Sequence, residues 1–343
     1  MSNSISNISR FVQSAFTIVL ASLVLCLITA CSESESGDDP TRISADASST
    51  IRDLSIEESP NPGVFDDRVV FGQSAAFDGP AQALGQSMRL GIEAAFHEQN
   101  QAGGVHGRTL ELVTMDDRYE PGFAYANTRD LITKERVFGL IGGVGTPTSR
   151  SAVPLAESYE VPFLAPFTGA GFLRNPELRS VVNLRASYAQ ETEYMVERLT
   201  EDLGISRVAV MYQNDSYGQS GLSGVLDALA RRGLEPVETW YYERNSSAVK
   251  AAVFHIAAAN PEAVIMIGAY QPVAKAISLL RLDIDPVFLA VSFVGSNALA
   301  RELGSDASGV FVTQVVPVPD DVETPVVSEY LAALNAFDES VAP

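Results

Sequence analysis

From Arg68 onward, short apolar runs alternate with helical patterns, and the alternation restarts at Val208. This rhythm restricts the fold more than any other feature. Strands alternating with helices of about 10–15 residues build parallel sheets covered on both faces. Arg68–Gln73, Leu110–Met115, Val137–Gly142 and Pro162–Pro166 read as strands of a first set. Patterns over 85–100, 123–135 and 148–159 read as helices, with Met88, Ile92, Ala95 and Phe96 sharing one face of the first. The second set offers strands at 208–212, 235–242, 263–268, 286–291 and 309–313, with helices over 217–232, 247–258 and 271–281. The predicted fold is α/β: two similar lobes, 68–186 and 187–316, each a parallel sheet flanked by helices, connected near residues 184–190.

The N-terminal segment points to export. Phe16–Cys31 is an apolar run shorter than the roughly 20 residues that cross a bilayer. It ends in Ile28-Thr29-Ala30-Cys31, which resembles a bacterial lipobox, where cleavage precedes the cysteine and its thiol receives a lipid. Residues 1–30 then form a lipoprotein signal peptide, Cys31 is the lipidation site, and the body is held to a bacterial membrane in the periplasm or at the cell surface. Residues 31–67 are acidic and Pro/Ser-rich, a composition suited to a disordered tether. An ordinary signal peptide or a membrane anchor with a chance cysteine is the alternative, and Arg10 is the only basic residue ahead of the run. Cys26 lies within the run, so the mature body has no second thiol for a disulfide.

Charge and motif content exclude several classes. A net charge of −20 argues against nucleic acid, whose phosphates require clustered Lys and Arg. His97, His106 and His255 are scattered, and no metal-ligand cluster forms in the sequence. No Walker loop, Gly-x-Ser-x-Gly elbow or His-Glu-x-x-His motif occurs, and Gly142-Gly143-Val144-Gly145 lacks dinucleotide spacing. No cofactor is expected, and no nucleophile–base set marks an enzyme. Asp116-Asp117 is a carboxylate pair that reads more simply as a loop or a helix cap.

In parallel sheets ligands sit beyond the carboxyl ends of the strands, where helix N-termini point inward. The loops to search are therefore 74–80, 116–121, 143–149, 166–171, 213–218, 268–272 and 291–297. Gly145-Thr146-Pro147-Thr148-Ser149 offers hydroxyls and amides to an anion, although Thr148 or Ser149 could simply cap its helix. Pro166-Phe167-Thr168-Gly169-Ala170-Gly171 is a second polar loop. Tyr217 and Tyr270 each stand at a helix start in the other half. Hydroxyls on one wall and phenol rings on the other suit a small-molecule cleft, though each Tyr alone also fits half-buried packing.

Together these segments resemble the binding proteins of branched-chain amino-acid (leucine/isoleucine/valine) transporters and their amide-binding relatives. The resemblance covers roughly 68–335. It rests on Gly72-Gln-Ser with Gly79-Pro80, Asn100-Gln-Ala-Gly-Gly-Val-His-Gly-Arg, Asp116-Asp117, Ile141-Gly142-Gly143, Asn214-Asp215-Ser216-Tyr217-Gly218 and Gly295-Ser-Asn297. It implies the type I periplasmic binding fold, two lobes hinged around a central cleft, with residues 317–343 returning to the first lobe. It also implies that Thr146, Thr168 and the Gly169 amide hold a ligand carboxylate, and that Tyr217 and Tyr270 contact the ligand from the second lobe. The partners implied are a small polar ligand such as an amino acid or amide, and an ABC transporter permease.

Two departures stand out. Where leucine-type binders place a carboxylate for the ligand's ammonium, this chain has Phe293, so either Asp117 or Asp215 supplies the charge or the ligand is not a free α-amino acid. The pattern also stops soon after the helix expected over 326–337, which would leave the first lobe short. The same fold also resembles lipoproteins that activate cell-wall synthases, and a ligand sensor for a signalling partner is a third possibility.

Overall fold

The computed structural model describes residues 61–338. The lipobox with Cys31, most of the expected tether and residues 339–343 lie outside the described residues.

Two five-stranded parallel sheets form, as the twofold rhythm predicts. The first holds β1 (Arg68–Ala75), β2 (Thr109–Asp116), β3 (Gly139–Ile141), β4 (Phe163–Leu164) and β5 (Val181–Val182), in the order β2-β1-β3-β4-β5. The second holds β6 (Val208–Gln213), β7 (Glu238–Tyr242), β8 (Ala263–Ile267), β9 (Val287–Ala290) and β10 (Val310–Val312), in the order β10-β9-β8-β6-β7. The two orders are the same pattern, first strand beside second and third, and both lobes are the same α/β solution.

Burial explains why the middle of the second sheet is a continuous apolar run. All five residues of β8, Ala-Val-Ile-Met-Ile, are buried because helices cover both faces. Each of its larger side chains contributes about 1.5–3 kcal/mol relative to exposure. The covering helices are α1 (Gln82–Gln101), α2 (Pro121–Thr133) and α3 (Thr146–Ser158) in the first lobe. They are α4 (Tyr188–Glu197), α5 (Ser216–Ala230), α6 (Lys250–Ala259), α7 (Tyr270–Leu280) and α8 (Ser296–Leu303) in the second. A last helix, α9 (Pro325–Phe337), packs on α1 of the first lobe, where His97 and Phe337 meet with ring centroids 5.6 Å apart.

Among the described residues the chain passes between the lobes twice, through 183–187 and through 313–324. Glu191 on α4 ties these passages together. Its Oε2 accepts from the Ser292 amide at 2.8 Å and from Thr313 Oγ1 at 2.5 Å, and its Oε1 faces Arg185 Nη2 at 3.9 Å. Arg185 in turn donates to Ser292 Oγ.

Candidate functional site

The site begins with how two loops of the first lobe are set side by side. Val144 and Phe167 form a parallel bridge, the Gly145 amide donates to Phe167 O at 3.2 Å, and the Phe167 amide donates to Gly143 O at 2.8 Å. Gly145 has φ +102°, and a Cβ there would collide with Tyr119 Cε2. The result brings the first residue of α3 against the second loop, with Thr146 Oγ1 2.6 Å from Thr168 Oγ1. Thr168 Oγ1 donates to Tyr188 Oη at 3.2 Å, which joins three buried hydroxyls in one chain. Gly169 is required beside them, since a Cβ would lie 2.7 Å from Tyr188 Cδ1. Its N–H has no acceptor among the described residues, while its carbonyl accepts from the Tyr188 amide at 2.7 Å.

Neither Thr148 nor Ser149 caps α3, which corrects the simpler expectation for that loop. Gly145 is the N-cap residue and makes no side-chain cap bond. Thr148 Oγ1 donates back to the Val144 carbonyl, and Ser149 Oγ is buried without a partner.

From the second lobe come aromatic rings. Tyr217, in the first turn of α5, lies 4.6 Å from Phe293 and 5.3 Å from Tyr188, centroid to centroid. Phe293 continues to Phe167 at 5.5 Å and Tyr119 at 6.1 Å, both in first-lobe loops. Tyr217 is placed by Asp215, which caps α5 by accepting from the Tyr217 and Gly218 amides at 2.9 and 3.2 Å. Tyr217 Oη donates to the Gly268 carbonyl at 3.3 Å. Burial pushes the phenols of Tyr119, Tyr188 and Tyr217 above their ordinary range, so all three remain neutral donors.

Five of the expected residues, Thr146, Thr168, Gly169, Tyr217 and Phe293, therefore belong to one cluster spanning both lobes. Tyr270 stands apart from it: its Oη accepts from the Ala83 amide of the first lobe at 3.4 Å. One cavity between the lobes, lined by Tyr119, Gln213, Tyr242 and Ala269, holds about 10 Å³, too little for a solute. A roomier cavity of about 550 Å³ lies at the β10 edge of the second sheet, along α4. It is bordered by the exposed Phe311 and by Glu191 and Thr313, which bond to each other.

Sequence reasoning missed Tyr119, Tyr188 and Arg185. Ser187 and Gln190 form a reciprocal capping box at the start of α4, and that spacing was the available signal for a helix beginning at Tyr188. Arg185 lies 4.5 Å over the Phe167 ring. Asp116 and Asp117 serve the loop that carries Tyr119. Asp116 Oδ1 accepts from the amides of Phe77 and Arg118 at 2.8 and 3.0 Å, and Asp117 Oδ1 from the Tyr119 amide at 2.9 Å. Asp117 is fully buried, and burial pushes its carboxyl up to about 7. Across the cleft that same loop meets the second lobe: Arg244 Nη2 reaches Glu120 Oε2 at 2.7 Å, and Asn245 Nδ2 donates to Glu120 Oε1 at 2.7 Å.

Known proteins resemble this chain in sequence and in fold. The chain is 26% identical over 206 residues to Leu/Ile/Val-binding protein homolog 7 of Brucella abortus (strain 2308), covering 57% of this chain and 51% of that protein. It thus spans about half the length of that curated relative. It is 24% identical over 253 residues to an amino acid binding protein of Pseudomonas aeruginosa, covering 71% of this chain and 66% of that one. The crystal structure of a possible leucine/isoleucine/valine-binding protein from Rhodopirellula baltica SH 1 superposes with a TM-score of 0.76 at 39% identity, covering 84% of this chain and 78% of the other. A family profile described as "Periplasmic binding protein" matches residues 69–341. Matched in this way along nearly all of its described length, the chain belongs to the periplasmic binding protein family.

Proposed function

We propose that this protein is a lipid-anchored extracytoplasmic solute-binding protein that captures a small polar ligand by lobe closure and delivers it to an ABC transporter. The observation that carries the reading is the cluster in which Thr146, Thr168 and the Gly169 amide of one lobe stand against Tyr217 and Phe293 of the other. Hydroxyls and a free amide can hold a polar head while rings enclose the body, the usual division of labour in small-molecule sites. Its relatives are binding proteins, and the reading assigns the chain affinity and closure with no chemistry on the ligand. Cys31 anchors the protein, the tether leads from it to the first lobe, and residues 317–343 return to that lobe. Tyr270 contributes at the lip of the cleft.

Closure follows ligand only if the closed form binds more tightly than the open one, by about 5.5 kcal/mol for a near-complete switch. The test is thermal unfolding of the full chain against a panel of amino acids, amides and carboxylic acids. A ligand at 100 times its Kd should add about 2.7 kcal/mol. The packing of Tyr217, Phe167 and Tyr119 on Phe293 favours one competing reading, an interaction module whose cleft holds no solute. No stabilisation by any compound, together with capture of a cell-wall synthase, would establish that reading instead.

A further inference from the structure

The use of the carboxylates around the cleft bears on the chemical class of the ligand, an inference that rests on the solute-capture reading above. Three buried or nearly buried carboxylates border the ring cluster, and each is already engaged. Asp215 caps α5 and also accepts from Gln213 Nε2 at 2.6 Å, with Arg244 Nη1 3.9 Å away. Asp117 points into the first lobe, where its Oδ2 accepts from Ser74 Oγ at 2.9 Å. Glu191 gives one oxygen to Ser292 and Thr313, and its other oxygen faces Arg185. An ammonium brought to that last oxygen would stand beside the guanidinium, like charge against like. Phe293 presents only a ring. An α-ammonium enclosed here would be desolvated without a counter-charge, a strongly unfavourable arrangement.

Donors, by contrast, are in surplus. Two bonds link Thr146, Thr168 and Tyr188, and three hydroxyls carry three protons, so one O–H remains for an outside acceptor. Because Thr168 donates to Tyr188, the remaining proton is the one on Tyr188 Oη. The Gly169 N–H is free among the described residues. Arg185, with a side chain only 7% exposed, has both Nε and Nη1 buried without a hydrogen-bond acceptor. A carboxylate is acceptor-only and satisfies donors of this kind with two oxygens.

We infer that the cleft takes a monocarboxylate with an apolar body and no ammonium group, its carboxylate at the Thr168–Gly169–Tyr188 donors and its body against Tyr119, Tyr217 and Phe293.

Matched ligands test this on the unaltered full chain by calorimetric titration: 4-methylpentanoate against leucine and 4-methylpentanamide, and 3-phenylpropanoate against phenylalanine and 3-phenylpropanamide. At least one acid should bind tenfold or more tightly than both its amino acid and its amide. An amino acid or amide that binds as tightly as its acid overturns the inference and leaves solute capture standing. The same holds if none of the six binds while another solute does. Failure of every solute tried removes both. Tyr188→Phe, which keeps the ring and deletes the spare O–H, should weaken the preferred acid at least fivefold. An unchanged Kd overturns the placement of the carboxylate.

Discussion

Arg244 of the second lobe and Glu120 of the first form an ion pair at 2.7 Å, and it joins the two walls at the loop that also delivers Tyr119 to the cleft. Both side chains are partly exposed, so the pair is screened and contributes at most about 1 kcal/mol. Glu120→Gln should therefore leave folding intact and weaken ligand binding less than about fivefold. The loss should shrink as salt is raised, which titrations at low and high ionic strength would reveal. A large, salt-independent loss would mean that Glu120 acts through the position of its loop.

Thr168 is the central member of the hydroxyl chain. Thr168→Val keeps the shape and removes both bonds, leaving buried hydroxyls on Thr146 and Tyr188 without a partner. The expected cost is about 1–3 kcal/mol of stability, read from urea unfolding. Ligand affinity should fall as well.

Asp117 sets a pH dependence whose sign is fixed by its burial. Its folded value, about 7, lies above the ordinary 3.8, so between these values the folded state holds a proton that the unfolded chain has released. Its contribution to stability is thus fully present below about pH 4 and is lost as pH rises through 7. Asp117→Asn should remove that downward slope and raise stability at pH 8 by roughly 1–4 kcal/mol, provided the amide keeps the Ser74 and Tyr119 contacts. Denaturant unfolding of both proteins between pH 4 and 8 measures it. Parallel curves would mean that the carboxyl is ionised throughout.

Gly145→Ala meets two obstacles, a backbone at φ +102° and the Tyr119 ring. A destabilisation of at least about 2 kcal/mol is expected. Because the strain is relieved by moving Tyr119, ring packing against Phe293 should loosen, visible as a change in near-ultraviolet circular dichroism.

The sheets were legible in the sequence because strands such as Ala263–Ile267 are apolar without interruption. Helix α4 was not, since its buried face includes Glu191 and Thr192 and so breaks the apolar period. Strand β5 has two residues and α8 buries only Leu299 and Leu303, too little for a periodic signal. In the site, Thr146, Thr168 and Tyr217 were reachable because loops after strands are where ligands bind in such sheets. Tyr188 and Arg185 lie in what reads as connector, and their roles depend on Glu191 meeting Ser292 and Thr313, residues about a hundred or more positions away. Contacts of that range leave no local trace. The two candidate counter-charges, Asp117 and Asp215, could be named from sequence, but only hydrogen-bond geometry shows that both are already occupied.

The tie made by Glu191 has a mechanical meaning. One carboxylate fastens a backbone amide beside the first passage and a hydroxyl at the head of the second, so the two bridging segments share a single anchor. Should the halves part when a solute enters, the pivot is expected here, with side chains beside Glu191 travelling least and those farther away most.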